Sequence, residues 1–145
     1  MSSIFSRIVK GEIPCAKVWE NEEFLAFLDI LPIQIGHTLV IPKQETDYLF
    51  DLDPAVYARL MAACRTVAEG LKRGLDCRRV CVIVAGFEVP HVHVHLIPAN
   101  GPEDFPFPPR RKVAPEELRS LAGRLAAQLA GDSASAGGKP KKPGG

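Results

Sequence analysis

The chain is 145 residues long, with 46% hydrophobic residues, 24% charged residues and a formal net charge of +1. That length suits one domain with a buried core, and so balanced a charge supplies no general field for nucleic acid or a membrane surface. No stretch reaches the ~18 consecutive apolar residues of a membrane span.

The opening MSSIFSRIVKGEIP lacks the long apolar core of a secretory leader. Cys15, Cys64, Cys77 and Cys81 show neither C-x2-C spacing nor the density of a disulfide scaffold. Together these predict a cytoplasmic protein with reduced thiols. Ser3 suits a helix N-cap, and Ile4, Phe5, Ile8 and Val9 follow at helical spacing before Gly11 stops the run. Residues 16–19 and 24–29, separated by Glu20-Asn21-Glu22-Glu23, predict a β-hairpin. Pro32 and Gly36 bracket a loop, and 38–41 is a short β-branched strand ended by Pro42.

Asp53-Pro54 opens the clearest helix. Val56, Leu60, Ala63, Val67 and Leu71 step by three and four along one face, and the run is expected to stop at Gly74. Residues 79–85 form an apolar, β-rich run expected to be a buried strand, and Gly86–Pro90 makes a turn into a paired strand over 91–97. The proline-rich stretch from Asn100 to Pro109 is irregular. Pro115 starts a second amphipathic helix through Ala130, with Leu118, Leu121, Leu125 and Leu129 on one side. The remainder is rich in Gly, Ser, Lys and Pro, a composition that cannot offset its ordering entropy. The expected organisation is therefore one domain over residues 1–130 and a disordered tail over 131–145. Its fold class is α+β, an antiparallel sheet with a long helix packed on it.

The chemistry gathers in the histidines. His91, His93 and His95 alternate with Val92, Val94 and Leu96. In a strand this aligns three imidazoles on one side at roughly 7 Å intervals, with the aliphatic residues toward the core. A fourth, His37, immediately precedes another strand. Unperturbed imidazoles titrate near pH ~6.5, so such a cluster can hold neutral and cationic rings together. Three readings stay open from the residues themselves: a solvated polar face, a phosphoryl-transfer site, or a metal site. Zinc accepts His-x-His ligands, but no Cys or Asp pair stands at supporting spacing.

The pattern of His91 to Ile97 resembles the signature of the histidine triad family of nucleotide hydrolases and transferases. The opening Ser3–Pro14, the segment Phe24–Ile30 and the segment Gly36–Pro42 also resemble that family, in the same order, so the likeness covers most of residues 3–98. The resemblance implies that His93 is a nucleophile attacking the α-phosphorus of a nucleotide to form a nucleotidyl-histidine intermediate. His91 and His95 would fix its tautomer and stabilise phosphate charge, with His37 completing the cluster. Asp29 would accept hydrogen bonds from the ribose hydroxyls, and Phe5, Ile8, Leu28 and Ile30 would wall the base pocket, although each of these four equally suits ordinary core packing.

The implied substrates are purine nucleoside phosphoramidates or related adenylates, handled without a cofactor by a homodimer paired through the long helix and adjacent strands. No nucleic acid or membrane partner is expected. A non-catalytic nucleotide-binding or interaction module of the same fold is the alternative. Two departures stand out. Relatives that bind structural zinc use a Cys-x-x-Cys in the opening helix, where this chain has Ser3 and Ser6, so no metal is expected. Before the triad most members carry a longer polar loop ending in Gln or Ser. Here the connection is only Val84 to Pro90, with Phe87 and Glu88 at those positions. An ionised Glu88 beside a phosphate would be repelled by several kcal/mol if partly desolvated, so it is either a pocket residue of altered role or a plain surface residue.

Overall fold

The computed structural model describes residues 2–136, with side chains described as far as residue 131. Helix α1 (Ile4–Val9) starts where expected: the Ser3 hydroxyl accepts the Ser6 N–H, filling one orphan donor of the first turn. Strands β1 (Lys17–Glu20) and β2 (Phe24–Leu28) form the predicted hairpin. Its turn is closed by the Asn21 side chain, which accepts the Glu23 and Phe24 N–H groups. Strand β3 (Thr38–Pro42) follows.

Helix α2 (Pro54–Leu75) is capped by Asp53, whose carboxylate accepts the Ala55 N–H. It runs through Gly74, the expected stop, and ends at Asp76, the one non-glycine with positive φ (52°) among the described residues. An interior glycine costs a helix only ~1 kcal/mol, which the packed face of a helix this long outweighs.

Strands β4 (Arg79–Ile83) and β5 (Val94–Ala99) complete a fully antiparallel five-stranded sheet of order β1-β2-β3-β5-β4. This is the α+β architecture expected. Two details are corrected. The expected buried strand over 79–85 is shorter and lies at the sheet edge, with Val82 and Ile83 exposed; an apolar run signals a strand without telling an edge from a centre. The triad strand begins at Val94, so His91 and His93 precede it. That lead-in is held by the Val92 N–H donating to the Thr46 carbonyl and the His91 N–H to the Val89 carbonyl.

The sheet has two covered faces. Phe24, Ala26, Val40, Val92, Val94 and Leu96 pack with Leu60, Ala63, Cys64 and Val67 of α2. Leu25, Phe27, Leu39 and Ile41 pack with Phe5 of α1. Leu39 stands opposite His95 in the ladder and Val40 opposite Val94. Directly opposed residues share a face, so the imidazoles belong to the α1 side and the alternating aliphatics to the α2 side, as alternation requires. Gly36 sits at φ +93°, and a Cβ there would run into the Leu75 side chain. Only glycine lets the chain turn that close to the end of α2 just before His37.

The chain divides into two compact units, Met1–Pro106 and Phe107–Gly145. The second contains α3 (Pro115–Ala136), which continues past the expected limit at residue 130, so residues 131–136 are helical. Alanine and serine there still permit helix, and the next proline is Pro140. The rest of the expected tail, 137–145, lies outside the described residues. Leu118, Leu121, Leu125 and Leu129 are all exposed.

Candidate active site

His91 is wholly buried, at 0% exposure, and both its ring nitrogens are engaged. Nε2 lies 2.8 Å from the Pro42 carbonyl oxygen. A carbonyl only accepts, so this nitrogen carries the proton, and in the neutral ring Nδ1 accepts from the Ser3 hydroxyl at 2.7 Å. Burial lowers the His91 pKa, opposed by the Pro42 carbonyl and the Glu45 charge. With no exposed surface and both nitrogens engaged, the His91 ring has no atom left to touch a phosphate directly. What it offers its neighbours is its backbone: the His91 carbonyl accepts from His93 Nδ1 at 2.7 Å.

That bond decides the state of His93. Nδ1 must carry a proton, so in the neutral ring Nε2 holds a lone pair. No group among the described residues hydrogen-bonds His93 Nε2. The ring is otherwise encased, at 6% exposure, with Phe5 edge-on to it at 5.0 Å and His95 at 4.9 Å between centroids.

His95 and His37 form a second linked pair. The Ile33 N–H donates to His37 Nδ1 at 3.0 Å, which leaves the His37 proton on Nε2. That proton is donated to His95 Nδ1 at 2.9 Å, so neutral His95 keeps its own proton on Nε2. Burial lowers the His37 pKa, partly offset by Asp29. His95 falls to about 4, through burial first and then the neighbouring His93 and His37. The mixture of neutral and cationic rings expected from unperturbed values is therefore corrected for these positions: desolvation holds His37, His91 and His95 neutral at pH 7.

Asp29, at the end of β2, is half-buried; Oδ1 accepts the Leu31 N–H at 2.9 Å and Oδ2 lies 3.6 Å from His37 Nε2. The fold thus brings Asp29, His37 and His95 together, with one ligand-type atom from each within 4.8 Å of the others. Sequence spacing concealed these supporting groups, because 58 residues separate His37 from His95. The trio could hold a metal ion. Yet the 2.9 Å between the two ring nitrogens is a hydrogen-bond separation, shorter than the roughly 3.3 Å that zinc bonds of about 2.0–2.1 Å would impose in a tetrahedron.

The remaining expected residues divide. Phe5 is buried in the core beneath the triad, in ring contact with His91, His93 and Phe27, so it backs the histidines rather than walling an open pocket. Ile8 is half-buried on the same cluster and Leu28 is half-buried. Ile30 is 88% exposed, and among the described residues nothing builds a wall around it. Glu88 is exposed without a hydrogen bond or ion pair among the described residues, beside Phe87 at 97% exposure. The residues that sequence reasoning missed are Ser3 as partner of His91, and Ser6 and Glu45 behind it. The sequence marks Ser3 as a cap and, with Ser6, as standing where some relatives carry a zinc-binding Cys-x-x-Cys, and nothing in it marks Glu45.

Known proteins share this fold and sequence pattern. The HIT domain model matches residues 10–101. The chain is similar to an adenosine 5'-monophosphoramidase of Schizosaccharomyces pombe, at 33% identity over 133 residues, covering 89% of this chain and 99% of the relative. Among solved structures, a HIT family protein of Bacillus subtilis superposes with a TM-score of 0.74 at 31% identity, covering 88% of this chain and 96% of that one. A histidine triad nucleotide-binding protein of Candida albicans gives 0.73 at 29% identity, covering 89% and 98%. A protein with this sheet, this histidine cluster and these relatives belongs to the histidine triad (HIT) family.

Proposed function

We propose that the chain is a nucleotidyl hydrolase acting on purine nucleoside phosphoramidates or related adenylates, with His93 as nucleophile. The observation that carries this reading is the His93 Nδ1–His91 carbonyl bond, which leaves Nε2 with a lone pair and no hydrogen-bond partner among the described residues. In the proposed reaction Nε2 bonds to the α-phosphorus, and the bond from phosphorus to the leaving amine breaks. The amine departs with a proton from solvent, in keeping with the absence of a polar side chain other than Glu88 in the segment 84–90. Water then attacks the same phosphorus, the P–Nε2 bond breaks, AMP is released and a proton returns to solvent. His95 Nε2–H would donate to a phosphoryl oxygen, charge stabilisation by a positioned neutral donor. The free acceptor sites of Asp29 would take the ribose hydroxyls.

Denaturing mass spectrometry after mixing with an adenosine phosphoramidate tests the reading. An adenylyl adduct on a peptide containing His93, absent from His93→Ala, is expected. AMP binding by calorimetry with no adduct and no turnover would instead favour a binding module. No helix of the described residues is long and apolar enough to cross a membrane, and the four free cysteines suit a cytoplasmic setting. For assembly, the exposed Val82 and Ile83 on the unpaired edge of β4 support a homodimer in which two such edges pair.

A further inference from the structure

Behind the triad lies a set of hydrogen bonds that neither the family signature nor the proposed reaction accounts for. Glu45 Oε1 accepts the Ser3 N–H at 2.6 Å and the Ser6 hydroxyl at 2.7 Å. The Ser3 hydroxyl, already accepting the Ser6 N–H at 3.0 Å, donates to His91 Nδ1. The Ser6 hydroxyl also lies 3.5 Å from His91 Nδ1, so two hydroxyls stand near one acceptor. Glu45 settles the contest: by taking the Ser6 proton it leaves Ser3 as the single donor to the ring. His91 is thereby held between Ser3 and the Pro42 carbonyl, and its own carbonyl is presented to His93 Nδ1. We propose that Glu45, acting through Ser3, Ser6 and His91, is a positioning residue that holds His93 in its Nδ1–H tautomer.

The carboxylate is suited to the task. The Ser3 N–H and then the Ser6 hydroxyl hold the Glu45 pKa at about 2, so the clasp stays charged across the working range of pH. Each link joins a donor to an acceptor with no competing proton, and such a chain is cooperative. Glu45 lies on the exposed side of the network, so its replacement leaves the core untouched. The effect on turnover rests on the reading of His93 as nucleophile; the effect on the ring does not.

Two-dimensional 15N NMR of the imidazoles in the free protein reads the tautomer of His93 directly. The wild type is expected to show His93 almost wholly protonated on Nδ1. Glu45→Ala, and independently Ser3→Ala, which removes the donor to His91 Nδ1, should raise the Nε2–H population, while Glu45→Gln, which keeps an acceptor oxygen, should restore the wild-type pattern. In steady-state assays on an adenosine phosphoramidate, Glu45→Ala should lower kcat by about 10-fold or more with KM little changed, a loss of geometry rather than of binding. Unaltered His93 resonances in both alanine variants would overturn the proposal whatever the activity. A wild type without turnover would remove the nucleophile reading and leave the NMR comparison to judge the clasp alone.

Discussion

In the unfolded chain His37, His91 and His95 titrate near their ordinary 6.5, whereas in the folded protein burial lowers all three, His95 to about 4. Between these values the unfolded state binds protons that the folded state refuses, so stability rises with pH through that window. The contribution is complete above pH 6.5 and lost progressively as pH falls toward 4. Urea midpoints measured from pH 7.5 to 4 should fall most steeply below 6.5, and His95→Asn should flatten the slope. Glu45, held at about 2, adds a separate loss that begins only below about 4.5. Gly36 makes the sharper case for a single residue. Placing alanine at φ +93° costs about 1–2 kcal/mol from backbone sterics, and the added methyl also displaces Leu75. Gly36→Ala is therefore expected to lower the unfolding free energy by at least that amount in equilibrium denaturation.

Among the elements, α2 carries a correctable defect at its end. Asp76 occupies a left-handed conformation and places a carboxylate at the negative pole of the helix. Asn tolerates that conformation without the charge, so Asp76→Asn should stabilise the protein by about 0.5 kcal/mol, seen as a raised Tm. The start of the same helix is well made, and both its features were readable, since Asp53 and Pro54 act locally. The early end predicted at Gly74 failed for a physical reason: the packing of Leu60, Ala63, Cys64 and Val67 against the sheet carries the helix past a residue of low intrinsic propensity. The edge position of β4 was hidden in the same way, because strand order is a property of partners.

For the whole molecule, an edge strand with exposed Val82 and Ile83 invites pairing unless it is blocked. An isologous two-fold contact between β4 edges would close the sheet of one copy onto that of another. Sedimentation of the wild type should therefore give a dimer, and the double change Val82→Lys with Ile83→Lys should give a monomer of unchanged helix and strand content. A monomeric wild type at micromolar concentration would remove this assembly.

The sequence by itself determined the periodic and local features: the alternation that puts the imidazoles on one face and Val92, Val94 and Leu96 on the other, the capped ends of α1 and α2, and the hairpin. These follow from backbone geometry and neighbours a few residues apart, so they are written in short windows. Only the tertiary structure decided which ring nitrogens carry the protons and which stay open. His91 became a buried strut, His95 a neutral donor and His93 the ring with the open nitrogen because Pro42, Ser3, Ile33 and Glu45 arrive from distant parts of the chain. Proton placement depends on the partner each nitrogen meets and on the water each ring loses, and neither is a property of the residue alone.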